Sequence, residues 1–128
     1  MGQHGYNHGD IGWTQLNTME PEKTIDFYAA LFGWEKKPAP MPDYHVFARG
    51  SEMLGGVTSL LEGSTSSQWI PYVTVKDMDE TLAKLEALGG SVVAPPAPLP
   101  DGGRMALIRD PQGGVTGLAQ YAQGPSKC

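Results

Sequence analysis

Gly55-Gly56-Val57-Thr58 returns as Gly113-Gly114-Val115-Thr116, and the residues on either side of these stretches agree as well. At the same spacing, Pro38-Ala39-Pro40 falls on Pro96-Ala97-Pro98, Pro42-Asp43 on Pro100-Asp101, Ala48 on Ala106 and Leu60 on Leu118. With one residue less, Thr24 meets Thr81, Ala30-Leu31 meets Ala87-Leu88 and Gly33 meets Gly90, so Trp13 pairs with Ile70. A period this long, seen only twice, marks a tandem pair of one supersecondary unit and not a solenoid array.

The content of each copy follows from pattern and punctuation. In the first copy, a strand runs from Gly12 to Thr18. Pro21 opens a helix over 21–32 that Gly33 closes, with Ile25, Tyr28, Leu31 and Phe32 as the expected buried stripe. Strands are expected over 34–37, 44–49 and 53–60, separated by turn-rich 38–43 and 50–52. After a polar linker at 62–68 the pattern restarts with a strand over 69–75. Asp77 is the expected N-cap of the second helix, with Glu80 completing a capping box. Leu82, Leu85 and Leu88 are expected to face inward, and Gly89-Gly90 ends that helix. Strands over 91–94, 104–109 and 115–121 follow, with Asp110-Pro111-Gln112-Gly113 as a tight turn before the last. The order is β-α-β-β-β, twice. The Pro-rich stretches at 38–42 and 95–100 read as matched loops within the fold.

The chain has 128 residues, a formal net charge of -5 and one cysteine, Cys128. That length suits one domain with a core of its own. A lone cysteine forms no intramolecular disulfide and fits a reducing, cytoplasmic setting. No stretch approaches the apolar length of a membrane span, and an acidic chain without a Lys/Arg cluster repels phosphate backbones, so neither membrane nor nucleic acid is an expected partner. A flexible leader is expected at 1–10, one domain over 11–122 (module one 11–61, module two 69–122) and a tail at 123–128.

Several marks together resemble the vicinal oxygen chelate superfamily of glyoxalases, bleomycin-resistance proteins and extradiol dioxygenases. They are Phe27-Tyr28 with Leu31-Phe32-Gly33-Trp34-Glu35, Val75-Lys76-Asp77-Met78-Asp79, and Gly103-Arg104 leading to Asp110-Pro111-Gln112-Gly113. The resemblance implies an α+β fold of two tandem βαβββ modules forming a half-open β-barrel around a cleft. It also implies metal-ligand positions near the start of each module's first strand and the end of its last. Carried over, these fall on Trp13, Ile70, Gly117 and its repeat partner Ser59. None is a ligand for a divalent ion, which wants imidazole, carboxylate or thiolate donors, so no metal and no cofactor is expected. The resemblance further implies a homodimer, since short members of the family commonly pair.

Residues two apart on a strand share a face. Trp13 therefore brings Gln15 to the cleft, and Ile70 brings Tyr72 and Thr74. Trp13, Ile70 and Tyr72 make an aromatic wall, with Gln15, Thr74 and Ser59 as orienting groups for a small organic ligand. The other reading of Trp13 is that it fills the vacated cavity. Arg104 is a candidate clamp for a ligand carboxylate or phosphate, or else a structural partner of Asp110 or an interface carboxylate. His4 and His8 lie in the leader, and His45 lies on a strand as a packing residue. Asp77, Asp79 and Glu80 read as a helix cap. The expected function is metal-independent binding of an organic ligand. The alternatives are a lyase, isomerase or dioxygenase-like enzyme of the same superfamily, in which Gln15, Tyr72 or Arg104 polarises a carbonyl, and a noncatalytic subunit of a larger assembly.

Overall fold

Helix stops at Gly33 and at Leu88-Gly89, with alternating apolar runs after each, produce the same five elements twice. In the computed structural model, residues 6–61, 63–100 and 102–122 are described. The elements are β1 (Ile11–Thr18), α1 (Pro21–Phe32), β2 (Glu35–Pro38), β3 (Tyr44–Arg49), β4 (Glu52–Ser59), β5 (Gln68–Thr74), α2 (Met78–Ala87), β6 (Ser91–Pro98), β7 (Arg104–Arg109) and β8 (Val115–Gln120). The expected α+β class and double β-α-β-β-β order are both present. The chain packs as two units, Trp13–Ile70 and Met1–Gly12 with Pro71–Cys128. His4, Cys128 and the expected tail lie outside the described residues. No helix among the described residues is long and apolar enough to cross a membrane.

In the first unit the strands lie in the order β2-β3-β4-β1. β1 runs parallel to β4, while β3 is antiparallel to both β2 and β4. α1 begins at Pro21, where the missing N–H costs no helical bond. It ends at Gly33, whose left-handed φ of 80° lets its N–H reach the Ala29 carbonyl. Ile25 packs on Phe47 and Val57, with Tyr28, Trp34 and Leu54 around them. The expected helix stripe is only half correct, because Leu31 and Phe32 are 57% and 56% exposed. At about 100° per residue, Leu31 is turned roughly 120° away from Ile25. Phe32 sits at the helix end and leans on Tyr28 and Trp34 instead.

The second unit repeats the layout as β5-β8-β7-β6. The Asp77 carboxylate accepts the Glu80 N–H at 3.0 Å, capping α2 as expected. Met78, not read from the sequence as core, is wholly buried with Val75, Ala106 and Leu118, and Leu82 packs against this group. Leu88 is instead exposed, because it is the C-cap residue and α2 has already ended. Asp77→Ala is expected to cost about 1 kcal/mol, the usual worth of such a cap, read as a lowered urea midpoint with unchanged slope.

Two further expectations are revised. The Pro-rich stretch at 95–100 is not simply a loop: β6 continues through Pro98, which pairs with Arg104, and register shifts interrupt the ladder between Val92 and Ala97. β6 closes its row of strands with a single neighbour, the position where proline's missing donor does least harm. Tyr6, Gly9 and Asp10, ahead of β1, are also held, since Gly9 and Thr74 donate their N–H groups to the carbonyls of Thr74 and Asp10 respectively, and Tyr6 packs edge-on against Tyr121.

The strand register also corrects the internal alignment. Gln15 pairs with Gly56 on β4, and Tyr72 with Gly117 on β8. Because Gln15 and Tyr72 are equivalent by the helix offset, the counterpart of Gly117 is Gly56 and not Ser59. Between its helix and β7 the second copy takes up four more residues than the first, in the longer β6 and its turn, and alignment by identical letters is thereby left three residues out of register. An odd slip of this kind exchanges the two faces of a strand.

Candidate functional site

Each row of strands has one face turned to its helix. In the first unit Phe47 and Val57 face α1, so the residues alternating with them face away from it: Trp13, Gln15 and Asn17 on β1, Tyr44 and Val46 on β3, and Gly56 on β4. The Trp13 indole N–H donates to the Tyr44 hydroxyl at 3.0 Å. Behind this pair, the Gln15 amide donates to Asn17 Oδ1 at 3.0 Å, and Asn17 Nδ2 donates to the Ser59 carbonyl at 2.9 Å. Gln15 and Asn17 are almost fully buried, so these bonds hold two amides in fixed orientation.

Gly56 completes the arrangement. A Cβ at this position would fall inside the Tyr44 hydroxyl end, so the tyrosine lies over bare backbone. The second unit uses the same device with a different donor of the ring: a Cβ on Gly117 would overlap the ring of Tyr72. Tyr72 and Thr74 are both buried on the face of β5 that carries Gly117.

The residues named from the sequence divide accordingly. Trp13 and Gln15 share one face of the first unit, Tyr72 and Thr74 share one face of the second, and Ile70 is fully buried on β5. Ser59 pairs with Thr18 on the α1 side, and its hydroxyl donates to Asp43. Arg104 pairs with Gln120, whose side chain accepts the Met78 N–H, and its guanidinium reaches Asp79 at 3.3 Å. Its partner is therefore on α2. Asp110 instead accepts the N–H groups of Gln112 and Gly114 within its own turn. His45 faces Glu22 at 3.2 Å, and His8 accepts the Lys76 N–H.

Tyr44, Asn17 and Gly56 were missed in the sequence. The signal for Tyr44 was its spacing of two from Val46. Asn17 stands two beyond Gln15 on β1.

The positions where the family resemblance puts a metal do not fit one. Trp13 spends its only polar group on Tyr44, Ile70 has none, and Gly56 and Gly117 are covered by tyrosine rings. Among the described residues no three of His, Cys, Asp or Glu gather as a ligand set. Hydrogen bonding at this face comes from a phenol and two amides. Burial pushes the Tyr44 phenol above its ordinary value, and the Trp13 hydrogen bond offsets this only in part, so the group keeps its proton at neutral pH.

That shift has a measurable consequence. The folded chain holds the Tyr44 proton more tightly than the unfolded chain, where it titrates near 10.0. The resulting stabilisation is complete below that value and is lost as pH rises through the higher folded value. Tyr44→Phe is expected to flatten the alkaline fall in urea midpoint and to remove a late step from the absorbance titration at 295 nm. An unchanged alkaline slope in the variant would assign the loss to other groups.

Comparison with known proteins fits this architecture. The family model described as the Glyoxalase/Bleomycin resistance protein/Dioxygenase superfamily matches residues 10–116. The chain belongs to that superfamily. It is 34% identical over 117 residues to a glyoxylase-named protein, CFP32, of Mycobacterium bovis, covering 89% of this chain and 45% of that one. It is 30% identical over 122 residues to the anthracycline biosynthesis protein DnrV of Streptomyces peucetius, covering 91% and 43%. The chain thus spans less than half the length of these curated relatives. Among solved structures, the Mn(II)-bound glyoxalase of Novosphingobium aromaticivorans superposes with a TM-score of 0.62 at 20% identity, over 89% of this chain and 39% of that one. A methylmalonyl-CoA epimerase of Streptomyces coelicolor does so at 0.60 and 14%, over 92% and 98%. At these identities the superpositions establish the fold of the superfamily member.

Proposed function

We propose that this superfamily member is a cytoplasmic, metal-independent small-molecule-binding protein that takes a neutral, planar organic ligand against the Trp13–Tyr44 wall. The observation that carries the proposal is the hydrogen bond from Trp13 to the Tyr44 oxygen. With that oxygen engaged as acceptor, the phenol proton has no acceptor among the described residues and is left for a ligand carbonyl. The indole supplies the flat apolar surface on which an aromatic ring stacks. The names of two relatives, anthracycline biosynthesis proteins, agree with this ligand class, since anthracyclines are fused-ring aromatic carbonyl compounds.

The test is calorimetric titration of the protein with a panel of anthraquinone, flavone and coumarin compounds. At least one is expected to bind with negative heat-capacity change and to raise the melting temperature in proportion to the logarithm of its concentration. A panel without a single binder would count against the proposal. The same phenol proton also favours a second reading, an isomerase or lyase that polarises a substrate carbonyl. Binding alone returns the ligand unchanged, whereas the enzyme reading requires turnover that Tyr44→Phe abolishes.

A further inference from the structure

Beside the Trp13–Tyr44 pair lies a hydrogen-bond acceptor whose orientation is fixed from behind. Asn17 Nδ2 donates to the Ser59 carbonyl, and a backbone carbonyl only accepts, so the Asn17 amide can stand in one orientation alone. Its Oδ1 is thereby turned to Gln15, and the end of Gln15 that donates to it must be Nε2. What remains is Gln15 Oε1. Among the described residues nothing donates to this oxygen, and it is not sealed from solvent, although Gln15 as a whole is only 3% exposed.

The Tyr44 oxygen occupies the place of the missing Gly56 side chain, since a Cβ there would fall on it. Gly56 is the strand neighbour of Gln15, and adjacent strands lie only about 4.8 Å apart. The phenol and the Gln15 amide therefore stand side by side, the one with a proton to give and the other with an oxygen to receive one. The side chains of this face, Trp13, Gln15, Asn17, Tyr44 and Val46, carry no charge. We infer that the face recognises a planar aromatic lactam, whose ring carbonyl accepts from the Tyr44 hydroxyl while the N–H beside it donates to Gln15 Oε1. This rests on the Trp13–Tyr44 wall being a ligand site, and it adds which edge the ligand presents. The physical reason is desolvation. A ring stacked on Trp13 covers Gln15 Oε1, and a ligand with a carbonyl alone leaves that oxygen buried without a donor. A lactam N–H restores the bond. Because Asn17 already holds the amide, little side-chain freedom is lost in making it.

Quinolin-2(1H)-one and coumarin share one bicyclic shape, with an N–H in the first where the second has a ring oxygen. The test is isothermal titration of the full chain with these two compounds and with N-methylquinolin-2-one. The lactam is expected to bind roughly tenfold or more tighter than coumarin, because one buried acceptor is either satisfied or left empty. N-methylation is expected to abolish that advantage. Gln15→Met keeps the length of the side chain and removes the acceptor, so the ratio of lactam to coumarin affinity should fall close to one. A merely structural role for Gln15 would change both affinities and leave their ratio as it was, which would overturn the assignment. If Gln15→Met folds poorly, the three compounds on the unaltered protein still decide. Equal affinity for lactam and coumarin, with both lost in Trp13→Ala, would overturn the inference and leave the ligand wall standing. So would a lactam that fails to bind while another aromatic carbonyl compound binds through Trp13. Binding by no aromatic carbonyl compound at all would instead remove the wall itself, and the inference with it.

Discussion

Gly117→Ala is expected to destabilise the protein by about 1–3 kcal/mol, the cost of forcing an extra carbon into a filled core. The backbone there adopts no conformation that demands glycine, so the effect comes from space alone. The added Cβ meets the Tyr72 ring near its attachment to the chain, from Cγ to Cε2. A ring held at its base cannot swing clear, and Tyr72 is almost fully buried. Combining the substitution with Tyr72→Ala separates this explanation from a general weakening of β8. Removing the ring removes the clash that the added Cβ creates, so the double variant should lose less than the sum of the single losses, with a coupling of at least 0.5 kcal/mol expected for residues in contact. Additive losses would show that ring and glycine are energetically separate. Urea denaturation of the four proteins decides the matter.

Trp13→Ala is expected to weaken binding of any ligand found in the aromatic panel by roughly thirtyfold or more, as loss of a buried aromatic anchor commonly does. Tyr44→Phe should cost less, about tenfold, because it removes one hydrogen-bond donor and keeps the ring. The ordering of the two is the informative result. In the proposed binding mode Trp13 provides stacking surface and also positions the Tyr44 oxygen, while Tyr44 provides direction to a ligand carbonyl. Ligand affinity unchanged in Trp13→Ala would mean that the indole fills space and contacts no ligand. Isothermal titration with the same compound across the three proteins distinguishes these outcomes.

The fold was largely legible because its signals are local. Pro21 and Gly33 bracket α1, Asp77 caps α2, and the duplicated segments bring each element back in the same order. What the sequence did not reveal depends on pairing between distant residues. Identical letters at Gly55-Gly56-Val57-Thr58 and Gly113-Gly114-Val115-Thr116 invited an alignment by identity, yet hydrogen-bond register equates Gly56 with Gly117. The alignment by identity and the hydrogen-bond register differ by three residues, and because three is odd, Ser59 was assigned to the wrong face. The exposure of Leu31 and Phe32 was likewise hidden, since hydrophobic spacing reports which residues share a helix face and not how wide a surface that face meets.

The candidate site was partly readable for the same reason. Alternation along β1 and β5 correctly grouped Trp13 with Gln15 and Tyr72 with Thr74. It could not reveal that Tyr44, on a strand paired to β4, reaches back to the Trp13 nitrogen across 31 positions of sequence. Nor could it foresee that Arg104 follows the register of Gln120 toward α2, where Asp79 lies.

The proposed function has this superfamily member bind its ligand with aromatic and amide groups in place of a metal. The most direct measurement is calorimetric titration of the best aromatic compound from the panel into protein dialysed against excess EDTA, repeated after addition of Mn(II), Zn(II) or Ni(II). Equal affinity in all conditions, lost in Trp13→Ala, is the predicted result. Binding that appears only when a divalent ion is restored, at one ion per chain, would contradict the account.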